Sequence, residues 1–248
     1  MLNFDHIKFD YDPYPVGLTR GALAPDVYEE MIATFPDHRQ FISKDFNGVK
    51  LSLSQHNNKP GYLAHLRKNA AWGRFYDYIK SEDFIVDTMA MLKAHNVDLG
   101  LANVSLKERA MKRFKALKKG NPQPHIPRLR SRFEFSAMPV TGGSIRPHTD
   151  HPAKVVTMVI PILEEDEWKA EYGGGTSIVW PKDRNRSYNF TNAYMDFEEV
   201  ECLRTYPFEP NQCLVFVKTH NSWHAVWPMT GNDPKILRKT LTINIESD

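Results

Sequence analysis

The stretch RLRSRFEFSAMP, Arg128–Pro139, decides how this chain is read. Polar and apolar residues alternate along it, the period-2 pattern of a strand with two unlike faces. Just before it, NPQPHIP at residues 121–127 punctuates the chain with three prolines, and the texture changes there. After it come KVVTMVIPIL, GTSIVWP, QCLVFVK and KTLTINIE, short β-branched and aromatic runs separated by Gly, Pro and Asn. Strands in such succession, without helices between them, predict an antiparallel sandwich or barrel. The expected class is α+β, with a double-stranded β-helix (jelly roll) over residues 121–248. A mainly helical N-terminal region, residues 1–120, would pack against it as one cooperative domain.

The helical reading of that first part rests on apolar spacing. APDVYEEMIATFP carries Pro25 and Asp26 at its start, then Val27, Tyr28, Met31, Ile32 and Phe35 at helical intervals. NAAWGRFYDYIKS repeats the stripe with Trp72, Phe75, Tyr76 and Ile79. In SEDFIVDTMAMLKAH, Ser81 is placed to cap a helix, and Glu82 and Asp83 favour its positive end.

Composition is that of an ordinary globular protein, 41% hydrophobic and 25% charged. A net charge of +2 gives no general pull toward nucleic acid or anionic membrane. No apolar run approaches a membrane span, and MLNFDHIKFDYD lacks the basic-then-apolar pattern of a signal peptide. Two cysteines, Cys202 and Cys213, make neither a disulfide framework nor a metal-type spacing. A reduced, cytoplasmic setting is expected.

The chemistry gathers in SIRPHTDHPAK, Ser144–Lys154. On a strand, positions i and i+2 share a face, so His148 and Asp150 can converge while His151 points away. Two ligands are too few for a functional metal site. QCLVFVKTHNSWHAVWP offers His220 and His224, and His224 is favoured because Trp223 and Val226 flank it after a strongly β-type run. Two histidines and a carboxylate make a facial triad suited to non-haem Fe(II), with positions left open. Downstream, LRKTLTINIE sets Arg238 and Thr240 two apart on an otherwise apolar strand. An inward arginine there is costly without an anion, and its planar fork matches a carboxylate.

Together, RPHTDHP, YGGGTSIVWP, VFVKTHNSWHAVWP and LRKTLTINIE resemble the Fe(II)- and 2-oxoglutarate-dependent oxygenases of the prolyl-4-hydroxylase-like superfamily. YPVGLTRGALAPDVYEEMIATFPD is similar to that family's opening strand and helix, and AAWGRFYDYIKSEDF to its support helices. The resemblance implies His148, Asp150 and His224 as iron ligands, and Arg238 with Thr240 holding the distal carboxylate of 2-oxoglutarate. It further implies a dioxygenase using O2, hydroxylating a C–H bond of a small molecule or protein residue and releasing succinate and CO2. Asp150 argues against a halogenating variant. One departure is Met138, where many relatives carry a cosubstrate-binding tyrosine. Alternation back from Met138 puts Ser136, Glu134, Arg132 and Arg130 on its face, and makes Arg132 and Glu134 candidate pocket residues, either substrate contacts or a pair with each other.

Two other readings compete. Seven Lys/Arg between Lys107 and Lys119, with Glu108 the only acid, could neutralise phosphates. A solvated helix face explains them as well, and Asn244 stands where alkyl-lesion demethylases carry a second arginine, which argues against a nucleic-acid substrate. The non-enzyme alternative is a cupin-like or lectin-like jelly roll that binds without turnover.

Overall fold

A computed structural model describes residues 1–44, 50–101, 106–120, 128–164 and 166–247. Among the described residues twelve strands run in chain order: β1 Lys8–Asp10, β2 Val16–Arg20, β3 Ile42–Lys44, β4 Lys50–Leu53, β5 Leu129–Pro139 and β6 Ile145–His148, then β7 Lys154–Pro161, β8 Thr176–Pro181, β9 Val200–Tyr206, β10 Gln212–Val217, β11 His224–Val226 and β12 Leu237–Ser247. The five α-helices of the described residues, α1 Pro25–Ala33, α2 Lys59–Lys68, α3 Ala70–Lys80, α4 Glu82–Ala94 and α5 Leu106–Lys118, all precede β5. The boundary expected at 120/121 and the proline-rich NPQPHIP lie at and within residues 121–127, outside the described residues.

An eight-stranded sheet has the order β1-β2-β10-β7-β12-β5-β4-β3, and a four-stranded sheet the order β6-β11-β8-β9. The pairings in both are antiparallel. From β5 onward the chain keeps crossing between the sheets, since β5, β7, β10 and β12 lie in the large one and β6, β8, β9 and β11 in the small one. Tyr14, Ile178, Tyr206, Leu214 and Phe216 pack in the space enclosed.

The alternation in β5 sorts its side chains as expected. Phe133 and Phe135 turn to the helices, where the Trp72 ring lies 4.7 Å from that of Phe135 and Phe75 lies 5.7 Å from Phe133. Leu241, Ile243 and Ile245 of β12 join the same cluster. Each large apolar side chain buried there contributes about 1.5–3 kcal/mol. The other face of both strands turns inward. Ser81 caps α4, its hydroxyl accepting from the Phe84 amide at 3.1 Å.

Four short strands accompany the helices of the first part of the chain. β1 and β2 extend one edge of the large sheet, and β3 and β4 the other. These strands are three to five residues long, too short to show a period on their own. α2 and β9 were not read from the sequence, and the strand expected to carry both His148 and Asp150 ends at His148. Among the described residues no helix is long and apolar enough to cross a membrane.

Candidate metal and anion site

β6 and β11 lie side by side in the small sheet, and His148 faces His224 in register. Asp150 follows two residues after β6 ends, in the loop into β7. Ligand atoms of these three residues all lie within 4.8 Å of one another, the only such cluster among the described residues. The Nε2 of His148 is 3.9 Å from Oδ1 of Asp150, and the two imidazole rings are 4.3 Å apart.

Each histidine is oriented by its own backbone. His148 Nδ1 lies 2.9 Å from the Arg146 carbonyl, and His224 Nδ1 lies 3.0 Å from the Ser222 carbonyl. A carbonyl only accepts, so Nδ1 carries the proton in both rings and Nε2 keeps its lone pair. Burial pushes His148 down to about 3, helped by His224, and it also lowers His224. Both rings are thus held neutral, the form that binds a cation. The face of His148 is covered by Tyr194, stacked at 5.7 Å.

Asp150 is held at both oxygens. Lys154 donates to Oδ1 at 2.5 Å and the Thr157 hydroxyl to Oδ2 at 2.8 Å. Burial alone would raise this carboxyl, but the charge and the hydrogen bond of Lys154 outweigh it and hold the group ionised, below the usual range. Neither Lys154 nor Thr157 was singled out in the sequence. His151 and His220, by contrast, are exposed. His151 accepts from the Ala153 amide at 3.2 Å, and His220 packs on Phe190.

A cavity of about 310 Å³ opens beside the triad, walled by both sheets. Its far wall is the inner face of β5 and β12. Arg238 and Thr240, 4% and 2% exposed, both line it. The Arg238 guanidinium lies 4.4 Å over the Phe208 ring, and its Nε donates to the Gly174 carbonyl at 2.6 Å. No acid pairs with it among the described residues, and burial lowers it to about 9. Gly174 permits the approach, since its φ is +76° and a Cβ there would lie 2.8 Å from Trp168 and 3.3 Å from Arg238 Cδ. Ser136, opposite Thr240 in register, also lines the cavity, and its buried hydroxyl has no hydrogen-bond partner. An unpaired buried guanidinium beside an orphaned hydroxyl fits a carboxylate ligand.

Met138 lies directly across from Arg238, buried among Val140, Trp168 and Met229. Arg132 and Glu134 both line the cavity. Pairing with each other is not what is seen: Arg132 Nε bonds Glu246 at 2.6 Å, and Glu134 accepts from Lys50 Nζ at 2.9 Å. Both partners reach in diagonally from adjacent strands, since Arg132 stands directly opposite Asn244 and Glu134 opposite Thr242. The basic run of Lys107–Lys119 falls mostly on α5, apart from this cavity, and the side chains at 107–109, 112 and 113 lie outside the described residues.

No protein-family model matches this chain, and no curated protein does. Among solved structures it is similar to a prolyl-4-hydroxylase from Pseudomonas putida, with 13% identity and a TM-score of 0.51 over 93% of this chain and 91% of that one. The non-haem alpha-ketoglutarate-dependent epimerase SnoN from nogalamycin biosynthesis matches at 12% identity and a TM-score of 0.49, over 93% of this chain and 76% of that one. The first is a likeness of fold; the second is too loose to add to it.

Proposed function

We propose that the two sheets form a double-stranded β-helix, and that the chain is an Fe(II)- and 2-oxoglutarate-dependent dioxygenase acting as a hydroxylase. The observation that carries this reading is Arg238, a buried cation with no acid among the described residues, in the same cavity as the His148–Asp150–His224 triad. A dicarboxylate that reaches a metal at one end and a guanidinium at the other spans such a cavity.

His148, Asp150 and His224 would hold the iron, whose hard and borderline donor set suits Fe(II) and leaves positions open. When bound, Fe(II) with 2-oxoglutarate and O2 supplies an oxidation in which the cosubstrate leaves as succinate and CO2 and a substrate C–H becomes C–OH. The rest of the work belongs to the chain. The Arg146 and Ser222 carbonyls keep both imidazoles in the binding tautomer. Lys154 and Thr157 keep Asp150 ionised and fixed. Arg238 takes the distal carboxylate, and Thr240 and the Ser136 hydroxyl stand beside it to donate. A reducing cytoplasmic setting belongs to the same reading, since both cysteines are free thiols.

Metal-dependent release of succinate from 2-oxoglutarate by the purified protein tests the proposal. Metal binding without any succinate would make the chain a cupin-like or lectin-like binder instead.

A further inference from the structure

Beyond Arg238, the inner wall of the large sheet carries an ordered row of charge. It runs from Lys50 on β4 to Glu134 and Arg132 on β5 and Glu246 on β12. Two ion pairs close it, Lys50–Glu134 at 2.9 Å and Arg132–Glu246 at 2.6 Å, with side chains 10–29% exposed. Glu134 and Arg132 are two apart on one face, so their Cα atoms stand roughly 6.6–6.8 Å from each other.

Strand register fixes this row relative to the triad. Arg132 faces Asn244 on β12, Asn244 faces Thr157 on β7, and Thr157 bonds Asp150. Arg132 therefore stands on the rung of the hydroxyl that holds Asp150, two strand spacings or roughly 9.5 Å across the sheet. Arg238 and Met138 lie at the opposite end of the same face. A ligand anchored on Arg238 reaches the triad from one end, and Glu134 and Arg132 flank it from the other, with the Lys50 side chain reaching Glu134 from the Met138 end of β4.

We propose that this group reads the substrate's head group, and that the substrate is a free α-amino acid: Glu134 takes the ammonium, Arg132 and Lys50 the carboxylate. The inference rests on the oxygenase reading above and deepens it. Part-buried ion pairs contribute little net stability, because desolvation offsets their attraction, so stability alone does not account for two of them on a cavity wall. A ligand with one charge would leave a member of a pair uncompensated. A zwitterion brings no net charge, so the wall as a whole stays neutral. A residue within a protein chain carries neither backbone charge. The cavity of about 310 Å³ is at the low end for small-molecule sites and must also hold 2-oxoglutarate. With its head on β5, an amino acid extends its side chain across β12 toward the triad.

The test uses the full chain, anaerobic, with Fe(II) and 2-oxoglutarate, whose chelate has a visible charge-transfer band. Each of the twenty L-amino acids is titrated against that band, alongside its decarboxylated amine, its des-amino acid and its N-acetyl amide. At least one free amino acid should perturb the band and, once O2 is admitted, stimulate succinate release, with its three analogues about tenfold weaker or worse. Glu134→Gln and Arg132→Gln should each raise half-saturation by that amino acid about tenfold or more, with 2-oxoglutarate half-saturation within about twofold of the parent. A normal chelate band that no amino acid perturbs overturns the zwitterion assignment and leaves the oxygenase reading standing. Equal response to an N-acetyl amide, or unchanged affinity in both variants, overturns it too. Failure of the band to form overturns the oxygenase reading, and the substrate assignment with it.

Discussion

His148 and His224 are register partners on adjacent antiparallel strands, their rings 4.3 Å apart, and each Nδ1 is bonded to the carbonyl two residues before it. The same local device on both strands leaves both Nε2 atoms free of the backbone, with one ligand atom of each ring within 4.8 Å of Asp150. Removing any of the three should therefore abolish stoichiometric Fe(II) retention, measured as metal content after gel filtration, in a protein that remains folded. His151→Ala and His220→Ala should retain metal. If either of those two is the damaging change, the ligand assignment is wrong.

The paired histidines also set an acid response of the metal-free protein. His148 titrates near 3 when folded and near 6.5 when free, so between those values the unfolded chain binds more protons. Stability then rises with pH in that window, and falls as pH drops below about 6.5, by at most about 1.4 kcal/mol per unit for one histidine. Thermal melts from about pH 7 down to pH 5 should show a shallower fall in Tm for His148→Asn than for the parent.

Arg238 is a buried cation whose partner is expected to arrive with the ligand. Arg238→Met keeps the packing on Phe208 and removes the charge, so the ligand-free Tm should be unchanged or higher. The apparent KM for 2-oxoglutarate should rise about 10- to 100-fold, the value of a charge-assisted pair. An unchanged KM would move the role to another side chain.

Lys154 neutralises Asp150 while no metal is bound. Lys154→Met leaves that buried carboxylate uncompensated, which should cost about 3 kcal/mol in urea unfolding of the metal-free protein. Added Mn(II) supplies the missing positive charge and should restore most of the loss. If metal fails to restore it, Lys154 acts through packing.

Gly174 lets Arg238 lie against its carbonyl. Gly174→Ala puts a side chain at φ +76°, costing about 1–2 kcal/mol, and pushes on Trp168 and Arg238. A fall in Tm together with a raised KM for 2-oxoglutarate is expected. A fall in Tm alone would mean that the guanidinium has room to yield.

What was legible in the sequence was local. Period-2 alternation named the inner face of β5, and the structure puts Met138, Ser136, Glu134 and Arg132 of that face on the cavity wall. The HxD spacing and the later histidine named three residues that the fold does bring together, although β6 stops at His148 and it is the following loop, not a strand face, that brings Asp150 in. Helix stripes and a cap were readable because each lies within one or two turns of chain.

The sequence by itself determined which residues face inward and which carry ligand chemistry, because both follow from neighbours a few positions away. Only the tertiary structure decided the partners. Glu134 pairs with Lys50, 84 residues earlier, and Arg132 with Glu246, 114 residues later. Lys154 and Thr157 reach Asp150 because the loop after β6 folds back over the start of β7. Whether an inward charge is paired or left open depends on strand order and register, which are set by packing the two sheets and the helices together, and no local pattern encodes that.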